Sequence, residues 1–543
     1  MASMIPAMAD GESAYIEITN PGNHVYKIFQ IFTGEVDAST ANQLNNLKYG
    51  SDAASYTDGT TYVSTADLQA IDAISTTNQQ EIITAMTAYW DGDTDTPYKT
   101  IDKNTTKVNV VPGYYLIVDV DPTAAVDAED YPAYSLYMLE VIDSKTVTPK
   151  VSTTENEKKV KDINDSTESE YSDLQDSADY DIGDDVPFQL KATLAGNVNM
   201  YKQYVLTFTD TLEADRFESI DLKAADIKIK KTSDSSAATV ASTDDYDVTV
   251  TGVDGADESG FVVTLTFTPK TGSTTLPDTL NGAVITIDFT AELGEGANLG
   301  QLGNTNTSKI TYSNNPNTTD TGDSPEDTVI VFTYELVVNK VDENNVALEG
   351  AAFTLEKFTL DASGSDTVQV DDTHSYTGTW AASTATLSTN AVADDASTPD
   401  VDESKDATTF TFTGLDDGIY RLTESTTPDG YNTIDPITFV VSGSHTTLAN
   451  GLDKTTKKVG DAYVLTGITG TKTKDSENTT ATFSENTADG KITGLTTTII
   501  NQSGVVLPET GGVGTTIFYV AGSILVLAAA ILLITKRRMG SND

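Results

Sequence analysis

The sequence predicts an all-β protein built of tandem β-sandwich domains and closed by one C-terminal transmembrane helix. Three observations lead there. Thr, Val, Ile and Tyr recur in short alternating runs, such as Tyr204-Val-Leu-Thr-Phe-Thr, Val262-Val-Thr-Leu-Thr-Phe and Ile437-Thr-Phe-Val-Val; a period of two is that of a strand with one buried face. Clusters of Gly, Asp, Asn and Ser separate these runs, as turns separate the strands of a sandwich. Finally, the uncharged apolar run Val513–Thr535 precedes Lys536, Arg537 and Arg538, and it is long enough to cross a hydrocarbon core of ~30 Å. Only Thr65–Tyr89 reads as helical.

The length of 543 residues suits three or four domains, and 38% hydrophobic residues is too many for general disorder. There is no Cys, so disulfides and thiolate metal sites are excluded. The three histidines, His24, His374 and His445, are far apart in sequence, so no metal centre and no cofactor is expected. A surface hydrolase would need a nucleophile–His–acid constellation, and the sequence shows none. The net charge of −50 excludes nucleic acid as a partner and suits an exported, solvated surface. The run Asp91-Gly-Asp-Thr-Asp95 does not fit an EF-hand and reads as a solvated loop.

The two ends carry targeting information. By the positive-inside rule the basic tail stays cytoplasmic, which puts everything upstream outside. A plain membrane anchor does not explain Leu507-Pro508-Glu509-Thr510-Gly511 directly before the span. Motif, span and basic tail together resemble the LPXTG cell-wall sorting signal of Gram-positive surface proteins. The resemblance implies that a sortase cleaves between Thr510 and Gly511 and passes the Thr510 carboxyl to an amine. At the other end, Ala7-Met8-Ala9 fits the small-x-small rule of a signal-peptide cleavage site, so residues 1–9 are expected to be a residual start segment.

Between the ends the chain divides into residues 10–150, 151–328 and 329–503, with 504–543 as the sorting signal. The third block opens Leu336-Val-Val-Asn-Lys340-Val-Asp and continues Leu348-Glu-Gly-Ala-Ala-Phe353; later come Gly418-Ile-Tyr420-Arg-Leu-Thr-Glu424-Ser-Thr-Thr-Pro428-Asp-Gly430-Tyr431 and a last strand ending at Asn501. This combination resembles the collagen-adhesin B-type (CnaB) domain. The second block has Glu157-Lys158-Lys159-Val160, then Tyr204 to Asp210, then Asn306-Thr-Ser-Lys-Ile-Thr-Tyr312. It resembles the A-type (CnaA-like) isopeptide domain of fimbrial shaft proteins, and Val25-Tyr-Lys-Ile-Phe-Gln-Ile-Phe-Thr-Gly34 resembles the N-terminal domain of the same shaft pilins. Both isopeptide families are immunoglobulin-like sandwiches.

The resemblance implies a covalent bond inside each of the later two domains, from a Lys amine to an Asn side chain. The third block would use Lys340, Asn501 and the acid Glu424; the second would use Lys158, Asn306 and the acid Asp210. Lys159 rivals Lys158, and only one of the two can point inward because adjacent strand residues face opposite sides. Asn304 and Asn314 rival Asn306. The chemistry needs burial: desolvation disfavours an ammonium and a carboxylate alike, leaving a neutral amine and a protonated acid.

A shaft subunit also needs a lysine to accept the next subunit. Val147-Thr-Pro149-Lys150 matches the short core of the shaft pilins' acceptor motif at the expected boundary, with Thr148 before the proline and no nearby tryptophan; Lys145 is a second candidate. The resemblance as a whole implies a sortase-assembled major pilin of the cell wall, not an enzyme. Its expected partners are a pilus-specific and a housekeeping sortase, further copies of itself, ancillary pilins and peptidoglycan, and its precursor would sit in the membrane. The alternative is a monomeric wall-anchored adhesin or an ancillary pilin.

Overall fold

The computed structural model describes residues 14–504, apart from 20–24, 37–42, 73–87, 94, 103, 121–135, 148–152, 168–170, 315, 317–318, 320, 391–405 and 479, together with Leu525, Val526 and Ala529. Among these residues the chain is nearly all β; one α-helix, Thr65–Asp72, lies within the stretch expected to be helical. The proposed transmembrane run falls almost wholly outside the described residues, and no described helix is long and apolar enough to cross a membrane.

Six larger sheets pack in three sets along the chain. In the first, the Ala14–Ile18 strand lies between Lys107–Val110 and Lys145–Val147, and Val25–Val36 is central to a five-stranded sheet. That long strand is buried on both faces: Phe29, Ile31 and Phe32 belong to one core, and Tyr26 and Ile28 to another. This explains the adjacent apolar pairs Ile28-Phe29 and Ile31-Phe32, which a one-sided strand would not need.

In the second set, one sheet orders Ser177–Asp179, Asp327–Phe332, Asn304–Ser313, Tyr204–Leu212, Gly260–Pro269 and Tyr246–Thr251. The facing sheet contains Val284–Leu293 and Asp185–Thr193 and ends on Glu155–Val160. Burial alternates strictly along Val284–Leu293 and along Asp185–Thr193, so period-two patterning places one side chain in two in a single core.

The third set follows with Thr333 as the only spacer between Asp327–Phe332 and Tyr334–Asp342. Its first and last strands, Tyr334–Asp342 and Lys491–Asn501, run side by side in parallel, with Lys340 opposite Ile499 and Asp342 opposite Asn501. The other sheet carries Ala352–Leu360, Gly418–Thr426 and Ile437–His445. Ile330 and Phe332, at the end of the second set, already pack in the third set's core. The two sets therefore share a continuous apolar seam.

Candidate functional site

Lys158 lies on the edge strand Glu155–Val160, where alternation decides between two neighbouring lysines. Lys158 is fully buried, whereas Lys159 points the other way, to the Asp176 carboxylate. The Lys158 amine meets the Asp210 carboxylate, whose side chain is also wholly enclosed. The Phe188 and Phe289 rings stand with their centroids 5.1 Å from the Lys158 Nζ, and Phe261 meets Phe289 edge to face. The Asp327 carboxylate accepts the Lys158 backbone N–H at 2.7 Å, which fixes the lysine's register.

Asp210 and Asn306 sit on paired antiparallel strands, with Asp210 opposite Ser308 and Leu212 opposite Asn306. They are therefore diagonal neighbours on one face, within side-chain reach. Gly260 allows this strand to sit close: a Cβ there would lie 2.1 Å from the Asp210 carbonyl oxygen. Asp210 Oδ1 and both amide atoms of Asn306 are buried without a hydrogen bond of good geometry, although the amide is near enough to favour the charged form of Asp210. Burial pushes the Lys158 amine down and the Asp210 carboxyl up, each opposed by the other's charge. Three polar atoms without hydrogen bonds at one buried point are costly.

Asn304 is a structural residue instead. Its amide donates to the carbonyls of Asn298 and Val331 at 3.1 Å each, and its oxygen accepts the Asn298 N–H at 2.7 Å. Asn314 lies beyond the end of that strand, against Gly322. Lys158, Asp210 and Asn306 are thus brought together, and Lys159, Asn304 and Asn314 are not.

In the third set the parallel register makes Lys340 and Asn501 diagonal neighbours, and both are buried. Glu424 reaches them from the facing sheet. Asn501 Nδ2 donates to Glu424 Oε1 at 2.9 Å and to Oε2 at 3.1 Å, while Asn501 Oδ1 has no partner. Glu424 is held by the Ile434 N–H at 3.2 Å and the Thr427 hydroxyl at 3.3 Å. A protonated Glu424 would donate to Oδ1 once the amide is turned over. The Lys340 amine donates to the carbonyls of Val341 at 3.1 Å and Ile499 at 3.3 Å.

Burial, opposed by Glu424, pushes Lys340 down to about 8. A depressed lysine gains its neutral, nucleophilic form as pH rises. Below about 8 the neutral fraction of Lys340 rises roughly tenfold per pH unit, so amide formation limited by the amine alone should accelerate and then level off, whereas a step that also needs the proton on Glu424 should stay flat or fall. Intact-mass time courses of chain recovered unlinked from inclusion bodies and refolded between pH 6 and 9 separate the two; Lys340→Met, which removes the amine, should lose one ammonia fewer at every pH, and an undiminished loss in that variant would count against the amine nucleophile.

Lys150 and the sorting residues Leu507 to Gly511 lie outside the described residues. Lys145 is partly exposed and pairs with Asp143 at 2.7 Å. The Asp91–Asp95 run closes on itself: Asp91 accepts the Asp93 N–H and Asp93 accepts the Asp95 N–H, at 2.9 and 2.8 Å. Sequence reasoning missed the aromatic walls Phe188, Phe261 and Phe289 and the anchor Asp327. Phe188 was within reach, since Val186, Phe188 and Leu190 alternate towards the core.

Comparison with known families places two segments. Residues 334–456 match the SpaA prealbumin-like fold domain, and residues 499–539 match the LPXTG cell wall anchor motif. No curated protein matches the chain. Among solved structures, the chain is similar to the T6 backbone pilin of Streptococcus pyogenes (17% identity, TM-score 0.45, covering 92% of this chain and 100% of that one). It is also similar to the full-length major pilin SpaD of Corynebacterium diphtheriae (15% identity, TM-score 0.40, covering 92% and 99%). A third is BcpA, the major pilin subunit of Bacillus cereus (15% identity, TM-score 0.35, covering 91% and 99%).

Proposed function

We propose that this chain, an LPXTG-anchored cell-surface protein with a SpaA-type prealbumin-like domain, is the backbone subunit of a sortase-assembled pilus. The observation that carries the reading is the pair of buried Lys–acid–Asn constellations in consecutive sandwiches. A surface protein without disulfides gains from covalent closure of each domain, and these constellations are suited to supply it.

The reaction at each site balances without a cofactor. The neutral Lys158 or Lys340 amine adds to Cγ of Asn306 or Asn501. Asp210 or Glu424, protonated, donates to the amide oxygen and so supports the tetrahedral intermediate. The acid then relays the amine proton to Nδ2, the Cγ–Nδ2 bond breaks and ammonia leaves. Preorganisation of the three groups makes a slow aminolysis a spontaneous single turnover. Residues 10–150, 151–328 and 329–503 are then the three domains of one shaft unit.

Between subunits, a pilus-specific sortase would cleave after Thr510 and join its carboxyl to Lys150 of another copy. A housekeeping sortase would transfer the finished polymer to peptidoglycan, with ancillary pilins joined to the shaft. Co-expression with a pilus sortase should yield a ladder of high-mass species on denaturing gels. Lys150→Ala should abolish the ladder and Lys145→Ala should retain it. A single band from the unaltered chain would instead mark a monomeric wall-anchored adhesin.

A further inference from the structure

The seam between the second and third sheet sets gathers charged groups, of which Asp179, Asp181, Asp416 and Asp417 are buried. From the second set come Asp162, Asp165, Asp179 and Asp181. From the third come Asp416 and Asp417, in the turn between Thr409–Leu415 and Gly418–Thr426, with Lys357 and His445. Lys357 reaches Asp165 at 2.5 Å and Asp181 at 2.6 Å. His445 lies 3.6 Å from Asp162 and 3.4 Å from Asp179. Lys357 also lies 3.6 Å from Asp416, so two basic groups face six carboxylates.

Asp416 is completely buried, and its Oδ2 has no hydrogen-bond partner. The Lys357 amine stands 3.6 Å from that oxygen, beyond hydrogen-bond reach and engaged elsewhere. Asp416 Oδ1 accepts the Asp417 N–H at 2.6 Å, and Asp417 Oδ1 accepts the Asp165 N–H at 3.1 Å. The carboxylates of Asp179, Asp416 and Asp417 converge, each offering an oxygen within 4.8 Å of the others. Oxygens bound to one calcium ion at ~2.4 Å each lie no more than ~4.8 Å apart, and this grouping meets that upper limit. Closer approach is built in on the other side: Gly443 has no room for a Cβ, which would fall 2.0 Å from Tyr334 Oη and 2.7 Å from Asp179 Oδ2.

We propose that Asp179, Asp416 and Asp417 form a calcium site that clamps the second and third domains together. An all-oxygen, carboxylate-rich donor set from two domains suits a hard cation with tolerant geometry, and Mg²⁺ is the poorer match because it demands near-ideal octahedral order. The ion supplies the positive charge that this buried seam lacks, since unpaired buried carboxylates are strongly unfavourable. It also ties Asp179, on the strand beside Asp327–Phe332, to the turn of the next domain. The site is independent of the Lys–Asn constellations, so it stands or falls apart from the cross-linking reading.

Terbium luminescence tests this on the chain ending at Thr510. The Tyr334 hydroxyl donates to Asp179 Oδ2 at 2.8 Å, so a phenol is poised to sensitise Tb³⁺ bound there. Saturable one-to-one luminescence, displaced by Ca²⁺, is expected. Asp416→Asn, an isosteric change that removes a buried charge, should weaken Ca²⁺ binding at least about tenfold, and calcium should raise the melting temperature of the unaltered chain but not of this variant. Asp93→Asn, in the exposed acidic run, should leave both readouts unchanged. Absence of a saturable, Ca²⁺-displaceable signal from the unaltered chain overturns the proposal, whether or not the variants fold. Undiminished binding in Asp416→Asn, or its loss in Asp93→Asn, overturns it equally.

Discussion

Asp210→Ala and Glu424→Ala should each leave the chain lacking one cross-link, so that one of the two ~17 Da ammonia losses expected of the unaltered protein is missing. The double variant should show neither. The acid is expected to be decisive because the amine and the amide are otherwise unreactive towards each other. Without Asp210, Lys158 faces two aromatic rings and an amide with no group to carry its proton. Without Glu424, Asn501 loses both hydrogen bonds of its Nδ2. Each bond would close a ring of roughly 150 residues, and by analogy with disulfides its loss costs about 5 kcal/mol through the unfolded chain. Thermal melts read that loss, but mass decides the matter, because removing a buried partner also destabilises by itself. An unaltered chain with its full calculated mass would sink both assignments.

Pulling on the chain should reveal a difference between the two domains. Lys340 and Asn501 lie on the first and last strands of the third set. A bond between them would carry tension past everything in between, and this domain should not extend. Lys158 is on the first strand of the second set, but Asn306 precedes the Asp327–Phe332 strand. That last strand remains outside the ring, held between Ser177–Asp179 and Asn304–Ser313 and by Ile330 and Phe332 in the next core. Single-molecule pulling on the unaltered chain should therefore release at most roughly 90 Å from the second domain. Asp210→Ala and Glu424→Ala should each add a step on the order of 500 Å. Long steps from these two domains in the unaltered chain would mean that neither ring is closed.

Much of this was legible in the sequence, for reasons that are local. Period-two alternation in runs such as Tyr204–Leu212 dictates strands with one buried face, and these strands are present. The sorting signal is a linear code read by an enzyme, so Leu507 to Gly511 need no fold to be recognised, and the anchor family matches there. The lysine, acid and asparagine positions were approachable because each sits in a recognisable strand motif.

What the sequence could not decide is which neighbour turns inward and what meets across two sheets. Lys158 and Lys159 are equivalent as letters; the pairing of Glu155–Val160 with Asp185–Thr193 buries one and leaves the other at Asp176. Asn304 and Asn306 share a face, yet only the carbonyls near Asn304 satisfy it. Asp179 lies more than two hundred positions from the adjacent Asp416 and Asp417 and shares no motif with them. The sequence by itself determined strands, export and anchoring, because these depend on period, composition and a contiguous signal. Only the tertiary structure decided the constellations and the charged seam, because burial and proximity between distant strands are properties of packing.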